Sequence, residues 1–157
     1  MDKKELIERL RVLQVARTYL GTPFHDQQRV KGAGIDCAYL IASVFEEAGL
    51  IEHIDIGYYS PQFFLHHSEE KYLSFVLPRA VEIEQEEAKA ADLVVFKVGR
   101  CFAHGALILE EGWPSILHAY KPEGIVTIGR GDVGELGERE RRFFRYSGWG
   151  CGKLVRG

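Results

Sequence analysis

The chain has 157 residues, of which 46% are hydrophobic and 27% charged, and its formal net charge is −3. This composition is ordinary for a globular protein, and the length predicts that residues 1–157 form a single domain around one core. The negative net charge argues against nucleic-acid binding, which usually requires a basic surface. No segment approaches the roughly 18 apolar residues that a membrane-spanning helix needs, so membrane insertion is not expected.

Two helices are predicted in the first third of the chain. Helical spacing of leucines predicts a first helix at about 4–20, ended by Gly21. Charges interrupt every apolar run in this segment, so it does not have the pattern of a signal peptide, and we expect the protein to be made in the cytoplasm with reduced cysteines. A second helix is predicted at about 37–48, and Ser60-Pro61 has the form of a further helix start.

The pattern changes from residue 92 onward to that of β-strands. Five short segments are rich in β-branched and aromatic residues and are separated by turn residues, namely DLVVFKV, FAHGALIL, SILHAY, GIVTI and RRFFRYSGW. Helices followed by a run of strands favour an α+β domain. We therefore predict an antiparallel sheet of about five strands with the N-terminal helices packed on it.

A cysteine stands at the predicted start of the second helix. Asp36 is a good N-cap residue, so Cys37 would occupy the first helical position, at the positive end of the helix dipole. Such a position lowers the pKa of a thiol, and the free N–H groups there could bind a developing oxyanion. The alternative is a small buried hydrophobic residue, because Cys37 shares an apolar stripe with Leu40 and Val44.

A cysteine nucleophile also needs a base, and the strands offer two histidines. A hairpin loop centred near Glu111 would set His104 directly opposite His118, with Cβ atoms about 4.5–5.5 Å apart. One imidazole could then orient the other. Cys37, His104 and His118 would supply nucleophile, base and orienting group, which is the general form of a catalytic triad.

Zinc binding is the competing hypothesis for these histidines. The four candidate ligands are Cys101, His104, His118 and Cys151. On one regular strand Cys101 and His104 would face opposite ways, and the spacings match no zinc-finger pattern. Nothing ties the histidines at positions 25, 66 and 67 to a metal, so no metal ligand is predicted.

These segments together resemble the NlpC-type family of bacterial cell-wall peptidases, which are papain-like cysteine hydrolases. The matching pieces occur in the family's order, as YLGTPF, GIDCAYL, AADLVVF, AHGALILEEG and ILHAYKPEGIVTI. The stretch PFHDQQRVKGAGIDC and the terminal RRFFRYSGW are most similar to the branch encoded by tailed phages and gene transfer agents.

The resemblance implies a fold, a reaction and a set of site residues. The fold would be the papain-like one, with the cysteine at a helix N-terminus. Cys37 would be the nucleophile, His104 the base and His118 the polar third member. The reaction would be amide hydrolysis through a thioester in the stem peptide of peptidoglycan, typically between D-γ-glutamyl and a diamino acid, with no metal or organic cofactor.

The resemblance also places residues around the substrate. Phe24 stands where the family usually has a tyrosine lining the active site, and Ala38-Tyr39 follows the cysteine where Ser-Gly is commoner. Phe24, Asp36 and Tyr39 are the expected substrate contacts. Tail proteins of a phage or gene transfer agent would be partners, and the site of action would be such a particle or the cell wall. Two alternatives remain open: an inactive structural tail component, and an acyltransferase or lipid hydrolase on the same core.

Overall fold

The computed structural model of the chain describes residues 1–57 and 70–151. Its α-helices are α1 (Lys3–Arg17), α2 (Cys37–Glu47), α3 (Lys71–Val76) and α4 (Gly134–Gly137). The two predicted helices are confirmed, although α1 ends at Arg17 because the N–H groups of residues 18–20 bond to carbonyls three residues back. The helix start predicted at Ser60-Pro61 lies outside the described residues.

The described strands form one large sheet and one small hairpin. The strands are β1 (Arg29–Val30), β2 (Gly34–Ile35), β3 (Ala80–Ile83), β4 (Leu93–Val98), β5 (Cys101–Ile108), β6 (Ser115–Tyr120), β7 (Ile125–Arg130) and β8 (Arg141–Tyr146). The hairpin pairs β1 with β2, and the sheet is antiparallel with the order β3-β8-β4-β5-β6-β7.

All five predicted strands are present, and the sheet has a sixth strand that the sequence did not reveal. Strand β3 lies at the edge of the sheet and pairs only with β8 in the described part of the chain. Its central residues, Val81 and Glu82, are both exposed. An edge strand without a buried face lacks the alternating pattern on which strand prediction depends.

Helices α1, α2 and α3 cover one face of the sheet. The main core lies between these helices and the sheet, and it includes Leu13 of α1, Leu40 and Val44 of α2, and Leu107 of β5. A second, smaller core on the other face includes Phe96, Ile108 and Ile116, with Leu136 of α4 packed on it. Strand β5 is buried along its whole length, because it has a core on both sides.

A β-bulge interrupts the pairing of β4 with β5. Phe96 is level with His104 and Lys97 with Phe102, which leaves Ala103 as the extra residue on β5. Bulges bend a strand and re-aim the groups around them, and they are frequent next to active sites. Here the irregularity falls directly beside His104.

A buried ion cluster ties α1 to the sheet. The Arg9 guanidinium lies 2.9 Å from the Asp92 carboxylate, and the Arg145 guanidinium of β8 lies 2.9 Å from the same carboxylate. Arg9 also donates to the Ala90 carbonyl at 2.7 Å. Because the side chains of Arg9 and Asp92 are almost completely buried, each charge depends on the others for compensation.

No helix in residues 1–57 or 70–151 combines the length and the apolar character that crossing a membrane requires.

Loss of the central carboxylate of this cluster should be strongly destabilising. We expect Asp92→Ala to lower the free energy of unfolding by about 3–5 kcal/mol, because it leaves the buried Arg9 with only the partly exposed Glu5 as counter-charge and also removes the partner of Arg145. Urea denaturation followed by circular dichroism measures the change. The matched control is Glu82→Ala, which removes an exposed ion pair with Arg142 on the same sheet and should cost about 1 kcal/mol or less. Equal effects of the two substitutions would contradict this interpretation.

Candidate active site

The start of α2 is organised by the carboxylate of Asp36. One oxygen accepts the Tyr39 N–H at 3.0 Å, which is the predicted N-cap, and the other accepts the Gln27 N–H at 2.9 Å. Asp36 is only 1% exposed. The same buried side chain therefore fixes both the first turn of α2 and the loop that approaches it, and it holds Cys37 at the first helical position.

The sulfur of Cys37 meets the backbone of β5. Its thiol donates to the Ala103 carbonyl at 3.4 Å, and the backbone N–H of Gly105 is directed at the sulfur. Strands β5 and β6 pair only at Leu107–Leu117 and Ile108–Ile116 within the described residues. The thiol thus lies beside a stretch of β5 that has already separated from β6.

The expectation that the helix start lowers the pKa of Cys37 is wrong. The pKa of this thiol is raised to about 12, chiefly by burial and then by the negative charge of Asp36. The N–H groups of Gly105 and of Cys37 itself lower it, but by less. Although Cys37 is half-buried as a residue, its sulfur is surrounded closely enough that the neutral thiol is the resting form.

The two candidate histidines are in direct contact. His104 Nε2 lies 2.8 Å from His118 Nδ1, and the ring centroids are 5.1 Å apart. The ring of Tyr120 stacks on His118 with centroids 4.6 Å apart. Both histidines are buried, so this hydrogen bond and the packing of the rings fix the orientation of the pair.

The predicted cross-strand register of the pair is wrong by two residues. Ile108 pairs with Ile116, so the hairpin is centred on Gly112 instead of Glu111. The reason is a turn closed by hydrogen bonds from Gly112 to Leu109 and from Ser115 to Gly112. His104 and His118 are therefore diagonal neighbours, and they meet because side chains as long as histidine can span a diagonal pair.

Burial keeps both imidazoles neutral. It is the largest cause that lowers the pKa of His104 to about 3, followed by the charges of His118 and Arg139, and it lowers the pKa of His118 to about 4. In a neutral pair one ring nitrogen donates and the other accepts. If His104 Nε2–H donates to His118, the lone pair of His104 is on Nδ1, where it could accept a proton.

The nucleophile candidate and the histidine pair approach β5 from different sides. The His104 ring lies beside Phe96, a residue of the second core, whereas Cys37 packs against the main core. The described structure has no hydrogen bond between the Cys37 sulfur and a His104 ring nitrogen. The three residues meet around the backbone of Ala103 and Gly105, and the thiol is bonded to that backbone rather than to the ring.

The four residues of the zinc hypothesis are not gathered into a metal site. No group of three or more His, Cys, Asp or Glu side chains with a suitable arrangement occurs among residues 1–57 and 70–151. Cys101 is buried at the start of β5, whereas Cys151 is exposed after β8. The positions 66 and 67 lie outside the described residues.

The expected substrate contacts differ in what they present. Phe24 is half-buried against the main core, and its N–H donates to the Gly124 carbonyl. The Tyr39 ring lies 5.4 Å from the Arg29 guanidinium, and both side chains reach the surface. Asp36 commits both of its carboxylate oxygens to backbone N–H groups. Substrate contact by these residues stays a prediction, and Asp36 has the geometry of a positioning residue.

Sequence reasoning did not identify Tyr72 as part of this neighbourhood. Its side chain comes from α3, and a Cβ at Gly105 would overlap its hydroxyl group. Tyr72 also lines an apolar cavity of about 80 Å³ together with Ala38, Ile41 and Phe75. No local sequence pattern distinguishes it from an ordinary core aromatic residue, and only the fold brings it to Gly105.

The buried histidine pair predicts a specific loss of stability in acid. Histidine in an unfolded chain has a pKa near 6.5, so the unfolded state binds more protons below that pH, and the contribution present above about pH 6.5 is lost as the pH falls towards 4. The slope is at most about 1.4 kcal/mol per pH unit for each histidine. Urea denaturation at pH 4.5–7.5 should show this decline.

His118→Asn should make that decline shallower, because it removes one of the two titrating groups. His53→Asn is the control, since it removes a histidine whose side chain is 69% exposed and leaves the pair intact. If His118→Asn and wild type had the same slope, burial of His118 would not govern the acid sensitivity.

Comparison with solved structures relates this arrangement to known proteins. No family model matches the chain, and neither does the sequence of any curated protein. The NlpC/p60 domain of the peptidoglycan hydrolase SagA superposes with a TM-score of 0.59 at 21% identity, covering 85% of this chain and 96% of that one. The peptidoglycan hydrolase RipB from Mycobacterium tuberculosis gives 0.60 at 20% identity, covering 92% and 68%.

A third match is the P60 domain of an antigen from M. avium subspecies paratuberculosis, with a TM-score of 0.55 at 20% identity over 90% of this chain and 96% of that one. Identities this low establish similarity of fold. The chain has the α+β, papain-like fold of NlpC/p60 domains, in which N-terminal helices pack on an antiparallel sheet.

Proposed function

We propose that this chain is a cysteine peptidase that hydrolyses amide bonds in peptidoglycan stem peptides, with Cys37 as nucleophile, His104 as base and His118 as the orienting residue. The observation that carries the proposal is the 2.8 Å contact between His104 Nε2 and His118 Nδ1, next to the strand backbone that holds the Cys37 thiol. The matched structures of peptidoglycan hydrolases add support for the substrate class.

The reaction begins with transfer of the Cys37 proton to His104 Nδ1. The thiol must first exchange its hydrogen bond to Ala103 for one to the imidazole, which a change of the Cys37 side-chain rotamer would start. The sulfur then adds to the amide carbon, and the negative charge moves to the carbonyl oxygen. Free N–H groups at the start of α2 are suited to hold that oxyanion.

Collapse of the tetrahedral intermediate breaks the carbon–nitrogen bond. His104 returns its proton to the leaving amine, and the acyl group stays on sulfur as a thioester. A water molecule then adds to the thioester, with His104 accepting its proton, and the carboxylic acid and the Cys37 thiol are released. His118 accepts the Nε2–H of His104 throughout, so that His104 gains and returns the proton at Nδ1.

The finer parts of the proposal concern substrate and setting. The bond between D-γ-glutamyl and a diamino acid is the proposed scissile bond, and the protein would act from a phage or gene-transfer-agent particle, or at the cell wall. The sequence resemblance supports these points.

A second candidate function is a structural component that has the same fold but no turnover. The observation that favours it is the state of Cys37, whose thiol has a raised pKa and is bonded to a backbone carbonyl instead of a base. In a working enzyme the Cys37 thiol would have to lose its proton when substrate binds. The two candidates therefore differ in whether peptidoglycan is cleaved at all.

Purified peptidoglycan distinguishes them. We expect the wild-type protein to release stem-peptide fragments, identified by mass spectrometry, and we expect Cys37→Ala to release none above background, because no thioester can form. Cys151→Ala is the control, since it removes an exposed cysteine far along the chain and should leave the rate unchanged. A folded wild-type protein that released no fragment between pH 5 and 9 would favour the structural component.

Substitutions of His118 test its orienting role. Asn and Gln can accept a hydrogen bond through the side-chain carbonyl, so His118→Asn or His118→Gln should keep measurable activity. His118→Ala should lose about 10–100-fold, the range seen when an orienting residue is removed. His104→Ala should lose more, because it removes the base itself. Circular dichroism must show that each variant is folded, and full activity of folded His118→Ala would exclude the role.

A further inference from the structure

The side chain of Tyr72 reaches Cys37's neighbourhood from a separate helix. Its ring is buried in the main core and forms part of the wall of the apolar cavity between α2 and α3. Its hydroxyl lies against the backbone of Gly105, in the space that a Cβ there would occupy. The position therefore combines a fixed aromatic ring with a polar group directed at β5.

The hydroxyl of Tyr72 and the sulfur of Cys37 meet the same short stretch of β5. The thiol bonds to the Ala103 carbonyl, and the Gly105 N–H is directed at the sulfur. Ala103 and Gly105 are two residues apart, and the small methyl group of Ala103 and the lack of a side chain at Gly105 let the two groups approach the strand. Within the described residues, the Tyr72 hydroxyl makes no hydrogen bond of its own.

Phenylalanine would fill the same space, so packing alone does not require the hydroxyl, which is available to donate to a group beside Gly105. Burial, followed by the charges of Cys37 and Asp36, raises the pKa of Tyr72 well above its usual value. The group consequently stays protonated, and towards an anion it can act only as a donor.

We propose that Tyr72 is a catalytic residue that donates a hydrogen bond to the Cys37 thiolate when the thiol loses its proton. This inference rests on the proposed role of Cys37 as nucleophile. The donor would offset part of the penalty that burial and the Asp36 charge impose on the thiolate. The Gly105 N–H would be its companion, so that the sulfur has two donors when it becomes charged.

Alkylation of the folded protein by iodoacetamide tests this without any peptidoglycan. The rate at Cys37 is measured at pH 8.5 by peptide mass spectrometry, and we expect Tyr72→Phe to lower it by about tenfold, the effect of losing one hydrogen bond to a charged group. The rate at the exposed Cys151 should be unchanged and serves as an internal reference. Tyr19→Phe is the control, because it removes the hydroxyl of another tyrosine of the same core, one that interacts with Glu47 and Ser43 and not with the backbone of β5.

The thermal midpoint separates a chemical role from a packing role. Because the hydroxyl makes no hydrogen bond to residues 1–57 or 70–151, Tyr72→Phe should leave the Tm unchanged, whereas loss of a structural hydrogen bond would lower it. An equal or faster alkylation rate in Tyr72→Phe, or a clearly lower Tm, would overturn the proposal. A Tyr72-dependent rate in a protein that does not cleave peptidoglycan would retain this inference and reject only the proposed substrate.

Discussion

The buried carboxylate of Asp36 is the interaction on which the candidate site depends. By accepting N–H groups from Tyr39 and Gln27, it starts α2 and holds the loop that precedes it. The same charge lies next to Cys37 and raises the pKa of the thiol. Positioning of the nucleophile and its deprotonation are thus in opposition, because the group that fixes Cys37 also disfavours the thiolate.

This opposition explains why the site rests in a neutral state. The histidines have lowered pKa values and the thiol a raised one, so charge separation between sulfur and imidazole is unfavourable before substrate binds. Attack on a carbonyl moves the negative charge from sulfur to oxygen, where N–H donors at the helix start can receive it. Proton transfer and attack would then be coupled, and donors close to the sulfur become important.

The sequence was informative where the determinants are local. The N-cap at Asp36, the first two helices and the five strands β4–β8 depend on short patterns, and each was predicted. The register that relates His104 to His118 was not predicted correctly. It depends on the hydrogen bonds that close the turn at Gly112, and alternation of apolar residues does not reveal them. The prediction of a lowered pKa for Cys37 was wrong for a related reason, because the burial of the sulfur depends on how distant segments of the chain pack.

Strand β5 shows how one segment can serve two faces at once. On the helical side its residues near the site are small, Ala103 and Gly105, and the N-terminus of α2 can therefore approach the strand backbone. On the other side His104 is held by Phe96 and His118. The bulge at Ala103 breaks the strict alternation between these faces. A regular strand would keep the sulfur and the imidazole on opposite faces. The bulge, in a stretch of β5 that does not pair with β6, lets both groups approach the same short piece of backbone.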